Sequence, residues 1–333
     1  MMRCFVSADF RNMEGRLTAY YSQDPVLIGE LEEELVGGPK LHAKNAAMLY
    51  NIPVEDTTTH LVNLSGQMVP AYNGGKRLGL AYFYGMKYKQ MNKQFWCGEE
   101  FAKESIASMA AKYELVEAWR KELSDNVFGV SLYGCSRCGY QQEYDPTDCP
   151  NCTNAGFPVP LRWVGMARFG ERVHSTAFGR RRFYLGRRKE GMNALAAQDP
   201  QSSGASVWDI TFIRLHGYDP LTDSPWPSPN GSLAYDPRMS VSTLFRPSEI
   251  FVASGHYDSF YVEAPLARQE EVTTWLAWTM EQPWSHLNNL RLPVEVSSGF
   301  NMGKYNDNPK KGALNLLGLK EADNNVPFSR TYC

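Results

Sequence analysis

The sequence predicts an α+β protein built on a small sheet. Strand-like runs are short and far apart: RCFVSA at 3–8, EIFVASGHYDSFYVEA at 249–264 and LRLPVEVSS at 290–298. The stretches between them are long and helical, most plainly EEFAKESIASMAAKYELVEAWRKELS at 99–124, where apolar residues recur at helical spacing. Strand pieces separated in this way indicate the α+β class.

In chain order, residues 3–8 read as a buried strand with Asp9 at its end. Helical stretches follow at 13–23, 26–36 and 42–51, the last stopped by Pro53. Residues 74–92 read as a helix interrupted by glycines, and 99–124 as one long helix. A compact cysteine segment occupies 133–155. Residues 166–190 are basic and aromatic, 201–216 helical, and 217–238 a long loop rich in Pro, Ser, Asp and Gly. Two strands with a tight turn are expected at 249–264, a helix at 267–281 and a last strand at 290–298. From about residue 309 the chain is a polar tail, expected to be mobile.

The 333 residues are enough for one large domain or two ordinary ones. At 43% hydrophobic and 21% charged the composition is that of a globular protein. A net charge of −2 gives no global attraction to nucleic acid or to an acidic membrane, so any such surface must be local. No apolar run approaches the roughly 18 residues that span a bilayer, and the N-terminus has no signal-peptide pattern. No membrane partner is expected. The grouped cysteines point to metal in a reducing cytoplasm.

Cys135-x-x-Cys138, ten residues and Cys149-x-x-Cys152 form a zinc-ribbon pattern. Two such knuckles present four thiolates to one tetrahedral ion, and four thiolates close the shell, so the Zn²⁺ would be structural. Asp9 after a strand and Asp258 in a hairpin turn occupy rigid positions. Two carboxylates can hold two Mg²⁺ ions about 3.5–4 Å apart around an in-line phosphoryl displacement. An aspartate in such a place is more often a cap or turn residue, and spacing alone leaves both readings open. Lys76, Leu80 and Tyr84 are spaced to share one helix face, with a point charge for a triphosphate at one end and a stacking ring at the other. Between Arg168 and Lys189 stand eight lysines and arginines against one acid, Glu171, with Phe169, Phe178, Phe183 and Tyr184 interleaved. Such a stripe can track phosphates.

Seven segments in order resemble the family A DNA polymerases, from about residue 3 to 305. SADFRNMEGRL is similar to motif A through Asp9, Phe10, Glu14 and Arg16, and YYSQDPVL continues the likeness. PKLHAKNAAMLYNIP carries His42 at the opening of a helix. Lys76, Tyr84 and Gly85 resemble the fingers-helix motif. TAFGRRRFYLG, PQSSGASVWD, GHYDSFYVE and LPVEVSSGFNMGK fall where the family's basic hairpin, its glutamine helix, motif C and its ending belong.

The resemblance implies a palm with a small antiparallel sheet, helical fingers and an inserted zinc ribbon, since most of the family lacks the cysteine segment. The divisions would be palm at 1–40, fingers at 41–132, ribbon at 133–155, palm with basic hairpin and motif C at 156–308, and tail at 309–333. It implies template-directed DNA synthesis on a primer–template with deoxynucleoside triphosphates. Asp9, Asp258 and the Phe10 carbonyl would bind two Mg²⁺ ions. Glu14 would be the gate against a ribose 2′-hydroxyl, fixed by Arg16. His42, Lys76, Leu80 and Tyr84 would contact the nucleotide, and Gly85, Arg180, Arg181, Arg182, Gln201 and Tyr257 the DNA.

Three positions depart from the family: Tyr72 replaces an arginine, Leu80 an aromatic residue and Ser259 the second acid of motif C. Some viral members share the leucine. Thumb, early palm and exonuclease segments are not visible, so a split polymerase of the phage type, completed by a second polypeptide in a bacterial host cytoplasm, is expected. An inactive DNA-binding remnant and a single-subunit RNA polymerase relative are the alternatives, and Glu14 argues against the latter.

Overall fold

The computed structural model describes residues 2–143, 148–184, 188–226, 250–256, 258–299 and 328–331. The elements begin β1 (Arg3–Phe10), α1 (Met13–Ser22), α2 (Pro25–Leu35), α3 (Leu41–Tyr50), β2 (Leu61–Leu64), β3 (Gln67–Pro70), α4 (Ala71–Phe83) and α5 (Tyr88–Phe95). Then come α6 (Glu99–Lys112), α7 (Glu114–Phe128), β4 (Gly129–Gly134), β5 (Gln141–Glu143), α8 (Pro150–Asn154), β6 (Arg162–Phe169), β7 (Val173–Ser175) and β8 (Arg181–Phe183). The last are α9 (Arg188–Leu215), β9 (Tyr218–Asp219), β10 (Ser224–Pro225), β11 (Phe251–His256), β12 (Ser259–Pro265), α10 (Gln269–Met280), β13 (Val294–Gly299) and β14 (Phe328–Thr331). They form two compact units, Met1–Leu17 with Pro200–Cys333, and Thr18–Asp199.

In the first unit the order β11-β12-β1-β13-β14 makes one antiparallel sheet with β1 at its centre. Alternation builds it. Cys4, Val6, Ala8 and Phe10 are buried, and the residues between them are half-exposed. Across the ladder Val6 meets Val262, and Ala8 meets Phe260 and Val296. Helix α10 covers β1 and β13 with buried Val272, Leu276 and Met280. Trp208 of α9 stacks on Phe260 with ring centres 5.2 Å apart. A side chain at Gly255 would place its Cβ 2.5 Å from Trp208, so only glycine fits there.

The second unit is mostly helical. Its core gathers Leu27, Leu31, Leu41, Tyr82, Phe83 and Tyr113. Buried Asp24 caps α2 by accepting from the N–H groups of Val26 and Leu27 at 3.0 Å. Its other oxygen accepts from Leu115 N–H at 3.0 Å, which ties the start of α7 to α2.

Several expectations need correction. The helix read at 99–124 is two helices, broken at Tyr113 with φ −117° and ψ 65°. Tyr113 is drawn into the core, where its hydroxyl lies 2.7 Å from both Glu30 and Asn45 oxygens. The glycines at 74, 75 and 79 do not interrupt α4. They face α3, and a Cβ on Gly75 would lie 2.6 Å from Ala46 Cβ, Ala46 N and His42 O. The break comes at Gly85, where Met86 N–H bonds Ala81 C=O at 3.0 Å and Gly85 N–H bonds Tyr82 C=O at 2.8 Å. That pairing ends a helix on a left-handed residue, and Gly85 has φ +72°. Helix α9 starts well before 201 and contains Pro200. The hairpin β2–β3, turning at Ser65-Gly66 with positive φ at both, was not expected. Within the loop read at 217–238, β9 pairs with β10, and residues 227–238 lie outside the described residues. Most of the polar tail also lies outside them, but Phe328–Thr331 pairs with β13.

Gly75→Leu would wedge a side chain between α3 and α4. Urea denaturation should show a loss of roughly 1–3 kcal/mol or more. Gly29, exposed in α2 with nothing within 4 Å of a new Cβ, should as Gly29→Ala gain roughly 0.5–1 kcal/mol.

Candidate catalytic centre and nucleic-acid surfaces

In the first unit the sheet brings Asp9 and Asp258 to one place. Asp9 is the penultimate residue of β1, on its half-exposed face, paired with Ser259 on one side and Glu295 on the other. Phe10 N–H donates to Asp258 C=O at 2.9 Å, so the β11–β12 turn lies against the end of β1. The donors available from Asp9, Asp258 and Phe10 are all oxygen, which fits Mg²⁺. Tyr257 lies outside the described residues. Arg11 N–H donates to Pro293 C=O at 2.8 Å and fixes the exit from β1.

Glu14 is half-exposed in the first turn of α1, where an acid suits the positive helix end. Arg16 is buried, and its Nε donates to Arg11 C=O at 3.1 Å, closing the turn between β1 and α1. Gly204 of α9 approaches Met13 closely, a new Cβ falling 3.0 Å from Met13 Cε. Gln201 is exposed near the middle of the same helix. Glu295 was not singled out in the sequence, although it stands at the exposed position of an alternating run, VEV, between buried valines.

In the second unit α4 presents Lys76 exposed, with Leu80 and Tyr84 half-exposed along the same face. His42 is 5% exposed in the first turn of α3, its Nδ1 buried without a hydrogen-bond partner. Burial lowers its pKa to about 4, and the charges of Lys76 and Lys40 add to that. Lys76 and His42 therefore share one electrostatic environment. Tyr72, at the position of the absent arginine, holds its ring edge-on to His42 at 6.0 Å. Arg120 is buried beneath the end of α4. Its Nη1 donates to Tyr82 C=O at 2.5 Å, and its guanidinium lies 4.3 Å from the Tyr82 ring centre. A Cβ on Gly85 would lie 2.9 Å from Ala196 Cβ.

The hairpin β7–β8 exposes Arg180, Arg181 and Arg182. It is anchored from behind. His174 Nε2 lies 2.6 Å from Asp199 Oδ1. The Tyr184 hydroxyl donates to Gln198, whose Nε2 bonds the carbonyls of His174 and Arg180 at 3.3 and 3.5 Å. No local signal marked these anchors.

The four cysteines converge. Cys135 and Cys152 sulfurs are 3.8 Å apart, those of Cys138 and Cys149 3.5 Å, and all four fall within 4.8 Å of one another. A tetrahedral ion with metal–sulfur bonds of about 2.3 Å spaces its sulfurs about 3.8 Å apart, so the set fits zinc. The supporting sheet, β5-β4-β6, extends beyond residue 155 to β6. Cys4 and Cys97 are separate from the cluster.

No family model matches the sequence, and no curated protein matches it. Among solved structures, the chain is similar to the POL domain of Pol1 from M. smegmatis, solved in complex with DNA primer-template and dNTP. The TM-score is 0.55 at 16% identity, over 89% of this chain and 39% of that one. The chain thus spans about two fifths of that neighbour's length, and at this identity the likeness is one of fold alone. No helix among the described residues is long and apolar enough to cross a membrane.

His42 makes acid stability a check on this geometry. Its folded pKa of about 4 lies below the ordinary 6.5, so the neutral form is favoured by folding. The contribution is whole above pH 6.5 and is lost as pH falls from 6.5 to 4, by up to about 3 kcal/mol. Chemical denaturation across that range should show this slope, and His42→Asn should flatten it.

Proposed function

We propose that this chain is the fingers and catalytic palm of a template-directed DNA polymerase of the viral or phage type. The observation that carries the reading is the meeting of Asp9 and Asp258 at the end of β1, within a fold similar to a POL domain.

Asp9, Asp258 and the Phe10 carbonyl would hold Mg²⁺. Bound there, the ions supply charge neutralisation for the α-phosphate and the leaving pyrophosphate and ease ionisation of the primer 3′-hydroxyl. Lys76 meets the triphosphate as a point charge, beside a His42 that stays neutral at working pH. Leu80 contacts the sugar, and Tyr84 offers a stacking face to the base. Glu14 excludes the 2′-hydroxyl, and Arg16 holds the turn that carries it. Arg180, Arg181 and Arg182 take phosphates, with Gly85 and Tyr257 against the DNA. Gln201 donates in the minor groove, where every base pair offers an acceptor, and so tests pair geometry without reading sequence.

The proposal includes a second polypeptide that supplies thumb, early palm and exonuclease. It includes zinc as a structural ion on Cys135, Cys138, Cys149 and Cys152, which a reducing cytoplasm keeps from forming disulfides and which the ion holds as thiolates. Ser259, buried opposite Asp9 where the family has an acid, favours a second reading. In that reading the chain is a remnant that binds DNA without extending it.

Primer extension with Mg²⁺ and deoxynucleotides decides between them. Asp9→Asn and Asp258→Asn should each abolish extension and leave primer–template affinity unchanged, while Glu14→Ala should admit ribonucleotides. Extension that survives either aspartate change refutes the metal assignment. DNA binding with no extension, alone or reconstituted with thumb and palm segments, supports the remnant.

Metal analysis should find one zinc per chain, lost in Cys149→Ser. Removal by chelation should unfold the ribbon, read as new protease cleavage near residues 129–169.

A further inference from the structure

We propose that β6, the outer strand of the cysteine ribbon, is a stacking platform for single-stranded nucleic acid. Calling that strand the unpaired template rests on the polymerase reading above; the binding itself does not.

The ribbon stands on a narrow base. A Cβ on Gly129 would lie 2.2 Å from Arg168 O, and one on Gly170 2.3 Å from Val127 O, so β4 and β6 leave the end of α7 in tight backbone contact. From there β6 runs along the free side of β4, since the sheet order is β5-β4-β6. Its side chains do not build a core. Trp163 is 60% exposed and Phe169 84%. Arg162 and Arg168 are exposed beside them.

The backbone position of Trp163 is nonetheless fixed by the ladder. It pairs across the ladder with Tyr133, and Tyr133 packs against the cysteine cluster. Next to the second knuckle the exposed Phe157 carries the Arg137 guanidinium 4.3 Å from its ring centre. Opposite Tyr133 and Gly129 of β4, Trp163 and Phe169 share one face of β6, while Arg162 and Arg168, next to them in the chain, alternate to the other face, so the strand carries stacking groups on one side and guanidinium groups on the other.

Charge selects the occupant. Residues 156–184 contain six arginines, no lysine and one acid, Glu171, in a chain of net charge −2. The run continues into the β7–β8 hairpin, where Arg181, Arg182 and Phe183 are exposed. Phosphate attracts to the arginines, and an exposed indole can stack only on a base whose face is free. A duplex hides those faces; a single strand offers them. Val164, 50% exposed, adjoins Trp163, so a second copy of the chain is the competing occupant of this face.

The test uses the full chain loaded with zinc. Fluorescence anisotropy would follow binding of a labelled oligothymidylate and of a blunt duplex of equal length. Trp163→Ala should weaken binding of the single strand by roughly tenfold or more, while Trp163→Phe keeps most of it. Arg168→Gln should flatten the dependence on salt. Zinc content and circular dichroism equal to the parent chain would show that the variants fold.

Unchanged affinity in Trp163→Ala overturns the proposal. So does a duplex bound as tightly as the single strand, which would make the face a phosphate-only surface. A dimer that Trp163→Ala dissociates would make it a contact between copies, through the edge of β6 that pairs with no other strand among the described residues. Primer extension reports separately. Single-strand binding through Trp163 without extension, even after reconstitution with thumb and palm segments, sinks the polymerase reading alone; extension with unaltered Trp163→Ala affinity sinks the platform alone.

Discussion

The register of β1 between β12 and β13 is the constraint on which the candidate centre depends. Side chains alternate across a strand, so a slip of one residue would turn Asp9 inward and Val6, Ala8 and Phe10 outward. Val6 and Phe10 are almost wholly buried, and exposing such side chains costs about 1.5–3 kcal/mol each. The slip is therefore excluded by the core rather than by any contact of Asp9 itself. The same register sets the bond from Phe10 N–H to Asp258 C=O and puts Glu295 across from Asp9. Apolar residues on one face thus position the acids on the other.

The second unit relies on close backbone approach. Gly74, Gly75 and Gly79 let α4 lie against α3, and that contact brings Lys76 and His42 into one electrostatic environment. Two buried charges complete the frame. Asp24 joins the starts of α2 and α7, and Arg120 satisfies a carbonyl near the end of α4. Each is hydrogen-bonded, which is the condition for burying a charge at all. A glycine or a buried charge in this unit is thereby as consequential for the site as any residue exposed in it.

Much of the centre was legible because its signals are local. Alternation in RCFVSADF marks one buried face, and the cysteine spacing marks two knuckles. What the sequence hid depends on distant partners. The break at Tyr113 is invisible in 99–124, since the apolar spacing continues through it, and the contacts that accompany the bend, Tyr113 with Glu30 and Asn45 and Leu115 N–H with Asp24, come from distant residues. His174 and Asp199 lie 25 residues apart, with no shared motif. Strand β6 lacks alternation because much of it is exposed on both faces, so its residues read only as basic and aromatic. The β2–β3 hairpin was available in principle, as Ser65-Gly66 is a turn pair between short apolar runs.

The central claim is that Asp9 and Asp258 share one metal site. Replacing Mg²⁺ by Fe²⁺ with ascorbate and peroxide generates hydroxyl radicals where the ion sits, and mass spectrometry maps the cuts in the chain. The account predicts cleavage near both residue 9 and residue 258, with both cuts lost together in Asp9→Asn and in Asp258→Asn. Cleavage at one position that persists when the other aspartate is replaced would contradict it.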